Sequence, residues 1–299
     1  MRNRTLIWLL LGGGAFVLLA ITLAAIVLTF GGDDNGGGEF GFSDRVQVVE
    51  IDGELVQSKP ILEQLKRYED SNSVKAILLD IDSPGGGVAV SQEIYTEIRR
   101  LREKKDKIVV AYLSSTGASG AYYISCAANK IVANPGTIVG SIGVIAEWTN
   151  YADLMEWAKL KNIVFKTGEF KDTGSPTRPI TENERKYFQG LIDDMYVQFV
   201  EAVSQGRKLD LQEVRSMADG RVFTGRDARE RKLIDETGNF QDAVDLTAKL
   251  AGISGKPRLI RSNRPRVTLL DVLTTDLSRL SPFNGQSMKS QIKFQYLWK

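Results

Sequence analysis

The sequence predicts an α/β domain whose parallel strands are buried on both faces, and three features carry that prediction. KAILLDI (75–81) and KIVVAYL (107–113) are continuous apolar runs of strand length, without the polar alternation of a half-exposed strand. Segments with helical spacing lie between such runs. Each run also leads into a glycine-rich turn, and alternation of this kind favours helices packed on a parallel sheet.

Taken in order, the chain opens with Arg2 and Arg4, followed by an uncharged stretch from Leu6 to Phe30. At about 1.5 Å per residue this stretch reaches roughly 37 Å as a helix, longer than the ~30 Å hydrocarbon core of a bilayer. It exceeds the usual apolar core of a cleaved signal peptide and lacks a clear small-x-small site. Residues 1–30 are therefore expected to be a cytoplasmic tip and one N-terminal transmembrane helix. Arginines before the span and Asp33 and Asp34 after it are expected to put the rest of the chain on the periplasmic or extracellular side of the cell membrane. GGDDNGGGEFG opens a glycine-rich linker over 31–44.

The folded body is expected over 45–252. RVQVVEIDG alternates and ends in a turn, which predicts a first strand, and a helix is predicted over 58–69. Ile94, Ile98 and Leu101 give the helical period over 91–104. KIVANP, SIGVI and NIVFKTG predict shorter strands. Thr181 and Glu184 form a capping-box pattern ahead of Phe188, Leu191, Met195, Phe199 and Val203, with Gly206 as the expected stop. Residues 253–299 read as a basic C-terminal extension ending in KFQYLWK, whose aromatic end suits a membrane surface or a peptide groove. There is no internal repeat.

Composition narrows the chemistry. Lys and Arg total 39 against 37 for Asp and Glu, so no concentrated basic footprint calls for nucleic acid. The chain has no histidine, which excludes a Ser-His-Asp triad and any His-ligated metal. Its one cysteine, Cys126, excludes an intrachain disulfide and is expected to be a buried core residue. No metal or nucleotide cofactor is expected.

Two glycine-rich segments remain as chemistry. Asp82-Ser83-Pro84-Gly85-Gly86-Gly87 follows the first apolar run, and lacks the lysine pattern of a phosphate loop. Ser114 to Tyr123 follows the second run and places Ser119 at the start of a helix rich in small residues. It is not the G-x-S-x-G elbow of the α/β-hydrolases. A serine there suits helix capping as well as nucleophilic attack. Convergence of the Gly86 and Gly120 amides beside its hydroxyl would make an oxyanion hole. Asp80 and Asp82 read as turn formers and Tyr122 and Tyr123 as packing residues, while Arg178 has no evident role.

SPGGG, GASGAYYIS, GTIVGSIGVI, GEFKDTGSPTR, DGRVFTGRDA and LIDETG, in that order, resemble the signal peptide peptidase A family in its short, single-repeat form. The resemblance covers roughly residues 45–250. It implies a crotonase/Clp protease-like β–α spiral core and a ring-like homo-oligomer. It also implies Ser119 as nucleophile, Lys171 as general base, Gly86 as an oxyanion donor and Ser141 as a hydroxyl near the lysine. The implied substrates are remnant signal peptides and other apolar peptides, for which small P1 and P3 pockets would serve. Bringing a lysine from a free pKa of about 10.4 to near 7 takes about 4–5 kcal/mol, within the reach of burial. Asp172 is adjacent in sequence and should point away. The competing expectations are a quality-control protease of protein fragments, a crotonase-like acyl-CoA enzyme, and a non-catalytic scaffold of the same fold.

Overall fold

The computed structural model describes residues 44–261 and 293–298. The uncharged stretch over 6–30 and most of the linker lie outside the described residues, and among the described residues no helix is long and apolar enough to cross a membrane. In chain order the elements are β1 (Arg45–Asp52), α1 (Lys59–Arg67), β2 (Val74–Ser83), β3 (Gly85–Gly87), α2 (Val88–Lys104), β4 (Ile108–Ala118) and α3 (Gly120–Ser125). They continue with β5 (Lys130–Ala133), β6 (Ile138–Gly140), β7 (Ile145–Glu147), α4 (Ala152–Trp157), a 3-10 turn (Glu169–Asp172), α5 (Glu182–Arg207) and α6 (Leu211–Met217). The remainder are β8 (Val222–Thr224), α7 (Gly225–Glu230), β9 (Glu236–Thr237), α8 (Phe240–Leu250), β10 (Arg258–Arg261) and β11 (Lys293–Leu297).

Strands β10-β1-β2-β4-β5-β9 run side by side in a parallel sheet, with β6 beside the C-terminal end of β4 and β8 antiparallel to β6. The apolar runs are continuous because both faces are covered. Ala76, Leu78, Val110 and Tyr112 meet Ala243 and Val244 of α8 on one face. On the other, Ile77, Leu79, Ile81, Val109 and Leu113 belong to one cluster with Ile94 and Ile98 of α2 and Phe199 and Val203 of α5. Each fully buried side chain of this kind contributes about 1.5–3 kcal/mol. This is a mixed α/β architecture with a parallel-rich sheet, consistent with a Clp protease/crotonase-like fold.

Three local expectations are corrected. NIVFKTG forms no strand: Phe165 is 96% exposed and Ile163 77%, so these side chains find no core among the described residues. Of SIGVI, only Ile145 lies in a strand. The capping box at Thr181 and Glu184 is present, but the helix passes Gly206 and ends at Lys208, which takes the left-handed conformation (φ 56°). Gly206 serves packing instead, since a Cβ there would lie 2.9 Å from the Cys126 carbonyl carbon and collide with its oxygen. Gly206→Ala should therefore lower stability by about 1–3 kcal/mol, through overpacking that outweighs its helix-propensity gain. An unchanged urea midpoint would contradict this.

Candidate active site

Ser119 lies between β4 and α3, in the N-cap position of the helix, yet it does not act as a cap. Its backbone sits at φ 54°, ψ −117°, far from the extended conformation of capping residues, and its side chain makes no capping hydrogen bond. Such a conformation costs on the order of 1–3 kcal/mol and persists only where surroundings enforce it. Here the Ser119 N–H donates to the Gly140 carbonyl at 2.6 Å, and the Tyr123 N–H donates to the Ser119 carbonyl at 2.8 Å. The residue is 1% exposed.

The first glycine segment comes directly against this turn. Leu55 holds β3 from one side, its N–H donating to the Gly85 carbonyl (2.8 Å) and its carbonyl accepting from Gly87 N–H (2.9 Å). That alternation turns the Gly86 N–H to the opposite side. A Cβ on Gly85 would lie 2.6 Å from the Gly120 amide nitrogen, and one on Gly120 would lie 3.1 Å from that of Gly86. Side chains at these positions would hold the two segments apart. The convergence of Gly86 and Gly120 beside Ser119 is thus a backbone contact.

Parallel pairing adds a second hydroxyl. Ala118 of β4 is in register with Gly140 of β6, so Ser119 and Ser141 leave neighbouring strand ends. Ser141 is also held at positive φ (51°), with its N–H donating to the Arg221 carbonyl at 2.9 Å, and it is buried. Lys171 stands apart. It lies in the 3-10 turn, exposed, and no hydrogen bond or ion pair joins it to Ser119 or Ser141.

Other sequence candidates take structural places. Asp82 accepts from the Thr116 N–H at 3.1 Å, as a turn former does. Asp80 lies 3.9 Å from Arg261, and desolvation raises its carboxyl above the usual range against the pull of that cation. Burial pushes the Cys126 thiol up to about 12, which leaves it a core residue without thiolate chemistry. Tyr122 donates to the Leu233 carbonyl at 2.7 Å. Arg178 grips Asp172 and Glu184.

The C-terminal end supplies a feature that sequence reasoning left open. β11 lies between β3 and β7 as the middle strand of a second, antiparallel sheet. Tyr296 is in register with Gly86, and Trp298 N–H donates to the Pro84 carbonyl at 2.9 Å. The Tyr296 carbonyl oxygen lies 3.1 Å from where a Gly120 Cβ would stand, so it rests against both glycine segments. Its side chain is fully buried, stacked 5.2 Å from Tyr123 and packed on Phe199, and its hydroxyl donates to the Met195 carbonyl at 2.8 Å. The pocket beneath is aromatic and takes a tyrosine, so it is not confined to small residues. A cavity of about 520 Å³, lined by Ser141, Val144, Ile145, Tyr196, Leu297 and Trp298 among others, opens alongside. The one sequence signal for β11 was its apolar, aromatic composition inside a basic tail.

A strained serine, converging backbone amides and a seated extended strand thus lie together at one end of the sheet. Comparison with known proteins agrees. Peptidase family S49 matches residues 101–254, and the Clp protease family matches residues 45–136. The chain is 42% identical over 211 residues to a putative protease of Synechocystis sp., covering 70% of this chain and 75% of that protein. It is 39% identical over 188 residues to a putative signal peptide peptidase SppA of Enterococcus faecium, covering 63% and 54%. A chloroplastic serine protease of Arabidopsis thaliana is 32% identical over 225 residues, of which the match covers 33%. The chain belongs to peptidase family S49, the signal peptide peptidase A family, and is a serine peptidase.

Proposed function

We propose that this protein is a membrane-anchored endopeptidase that cleaves extended apolar peptides with a Ser/Lys dyad, Ser119 as nucleophile and Lys171 as base. The observation that carries this reading is the placement of a peptide carbonyl, that of Tyr296, against the two glycine segments beside Ser119. A substrate strand would add between β3 and β7 in the same way, bound through its main chain and selected by alternate side chains. The Ser119 hydroxyl attacks the carbonyl carbon while the neutral amine of Lys171 takes the proton. The Gly86 and Gly120 amides stabilise the oxyanion. The lysine then returns the proton to the departing amine, and water resolves the acyl-enzyme.

The base reaches the serine from a second copy. A lysine serving as base must be desolvated, and Lys171 is exposed within its own chain. The segment leading to it carries apolar side chains with no core of their own, including Trp157 at 80% exposed and Phe165 at 96%. A run of exposed large apolar side chains of this kind suits an interface. A head-to-tail contact repeated around a closed ring would bury this arm and carry each Lys171 toward the next Ser119 and Ser141. Residues 6–30 would hold the ring at the membrane, with its catalytic face periplasmic or extracellular. Remnant signal peptides are the substrates that suit this placement, as the name of the Enterococcus faecium relative also suggests. A quality-control role on protein fragments is the second reading, favoured by the tyrosine-sized pocket.

Ser119→Ala and Lys171→Ala are each expected to abolish cleavage of a synthetic signal peptide while leaving the fold intact. Subunits of the two variants, mixed and reassembled, should recover about a quarter of the parent activity, because some interfaces then pair an intact serine with an intact lysine. A mixture that stays inert would rule out the shared site. Cleavage by Ser119→Ala at the parent rate would remove the nucleophile itself.

The rate of the chemical step should rise toward alkaline pH as the lysine base loses its proton, and a flat profile between about pH 6 and 10 would count against it. Removing residues 293–299 should lower KM for an added peptide several-fold by vacating the groove. An unchanged KM in a folded variant would mean that β11 and substrate do not share a place.

A further inference from the structure

The turn that presents Lys171 is crowded with carboxylates, and each has a partner other than Lys171. In the turn itself, the Glu169 carboxylate accepts from Asn183 Nδ2 at 2.9 Å. Asp172, the next residue in the chain, accepts on Oδ1 from Lys166 Nζ (2.6 Å) and Arg178 Nη2 (2.9 Å), and on Oδ2 from Arg178 Nε (3.0 Å). At the start of α5, Glu184 accepts from Arg178 Nη1 at 2.9 Å and from Nη2, and it also accepts the Thr181 N–H at 2.8 Å. Tyr187 meets the turn through its ring, 5.2 Å from that of Phe170. Lys171 has no ion-pair partner among the described residues.

Arg178 organises this arrangement. One edge of its guanidinium forks onto Asp172 and the other onto Glu184, whose side chain is 1% exposed. It also donates to the Asp172 and Pro179 main-chain carbonyls at 3.2 and 3.1 Å. A lysine has neither the planar fork nor enough donors to do this. The Arg178 and Lys166 cations hold the Asp172 carboxyl well below the usual carboxylate range, and Arg178 brings that of Glu184 down to about 2. Both are therefore charged throughout the working range, and a charged Asp172 whose Oδ2 has lost Arg178 would be a counter-ion adjacent in the chain to Lys171.

We propose that Arg178 is a positioning residue for the base: by gripping Asp172 and Glu184 together it keeps Lys171 without a carboxylate partner and fixes the turn that presents it. The inference rests on Lys171 being the base. Losing Arg178 leaves Asp172 with Lys166 on Oδ1 alone and opens its Oδ2 to Lys171, a pairing that favours the ammonium form and withholds the base until higher pH. In the assembled site, Lys171 would meet a cavity edged by Asp193, bonded to Gln189 (2.7 Å), and Asp219, bonded to Arg221. Those groups are unchanged in every variant below.

The test is the pH profile of kcat/KM on the full-length protein. Arg178→Gln should move the alkaline rise upward by about one pH unit, so that a roughly tenfold loss near neutrality shrinks at high pH. Adding Asp172→Asn to Arg178→Gln should return the rise to its parent position. If Arg178→Gln fails to fold because Glu184 is left charged in the interior, Arg178→Gln/Glu184→Gln keeps the helix cap and reads the same shift. Loss by one factor at all pH values, or no return with Asp172→Asn, overturns the proposal while leaving the dyad standing. Lys171→Ala, run alongside, separates the two: if it keeps the parent profile, the dyad itself fails and this role of Arg178 fails with it.

Discussion

The site depends on an approach of two chain segments that only bare backbone permits. Gly85 of β3, just after β2, and Gly120, after β4, come within a distance at which an added Cβ would crowd a main-chain atom of the facing segment, and a Cβ on Gly86 would collide with Leu55. Parallel pairing of β2 with β4 delivers both segments to one edge of the sheet, with a register shift between Ile81 and Ser83. Burial of both sheet faces makes that edge rigid. The strained backbone of Ser119 is affordable because the sheet beneath it is stabilised by far more than the 1–3 kcal/mol such a residue costs.

Ser119, the proposed nucleophile, is held inside the sheet edge by main-chain hydrogen bonds. Lys171, its proposed base, sits on an exposed turn that is tied down by a network of ion pairs among its neighbours rather than by packing. Isolated surface pairs contribute little, but here one partner, Glu184, is buried and also caps a helix of 26 residues. The turn thus takes its order from α5, the helix that packs Phe199 under the tyrosine pocket.

Much of this was legible in the chain, for identifiable reasons. The runs at 75–81 and 107–113 announced a two-sided sheet, because only such burial removes polar alternation. Thr181 and Glu184 announced the start of α5, because capping is local chemistry. Gly86, Ser119 and Gly120 stood out as glycine-rich segments after strands, while the roles proposed for Ser119, Lys171 and Ser141 came from the family resemblance. What escaped was non-local. NIVFKTG has the composition of a strand but no strand to pair with, and Gly206 looked like a stop although its neighbour is Cys126. The partners of Arg178 lie six residues away on each side, at a spacing that matches no regular element. The seat of β11 required knowing which groove stands open.

The tail strand also alters what the groove can discriminate. A segment borne on the same chain as its groove rebinds at an effective concentration that is typically on the order of millimolar. Entry then becomes a contest of occupancy. A folded protein that exposes an extended stretch only in rare openings offers too little of it to displace a resident strand. Peptides already unfolded and gathered in quantity can do so. Kept in this way, a peptidase is selective through the abundance and disorder of what it meets, with no need for a narrow sequence code.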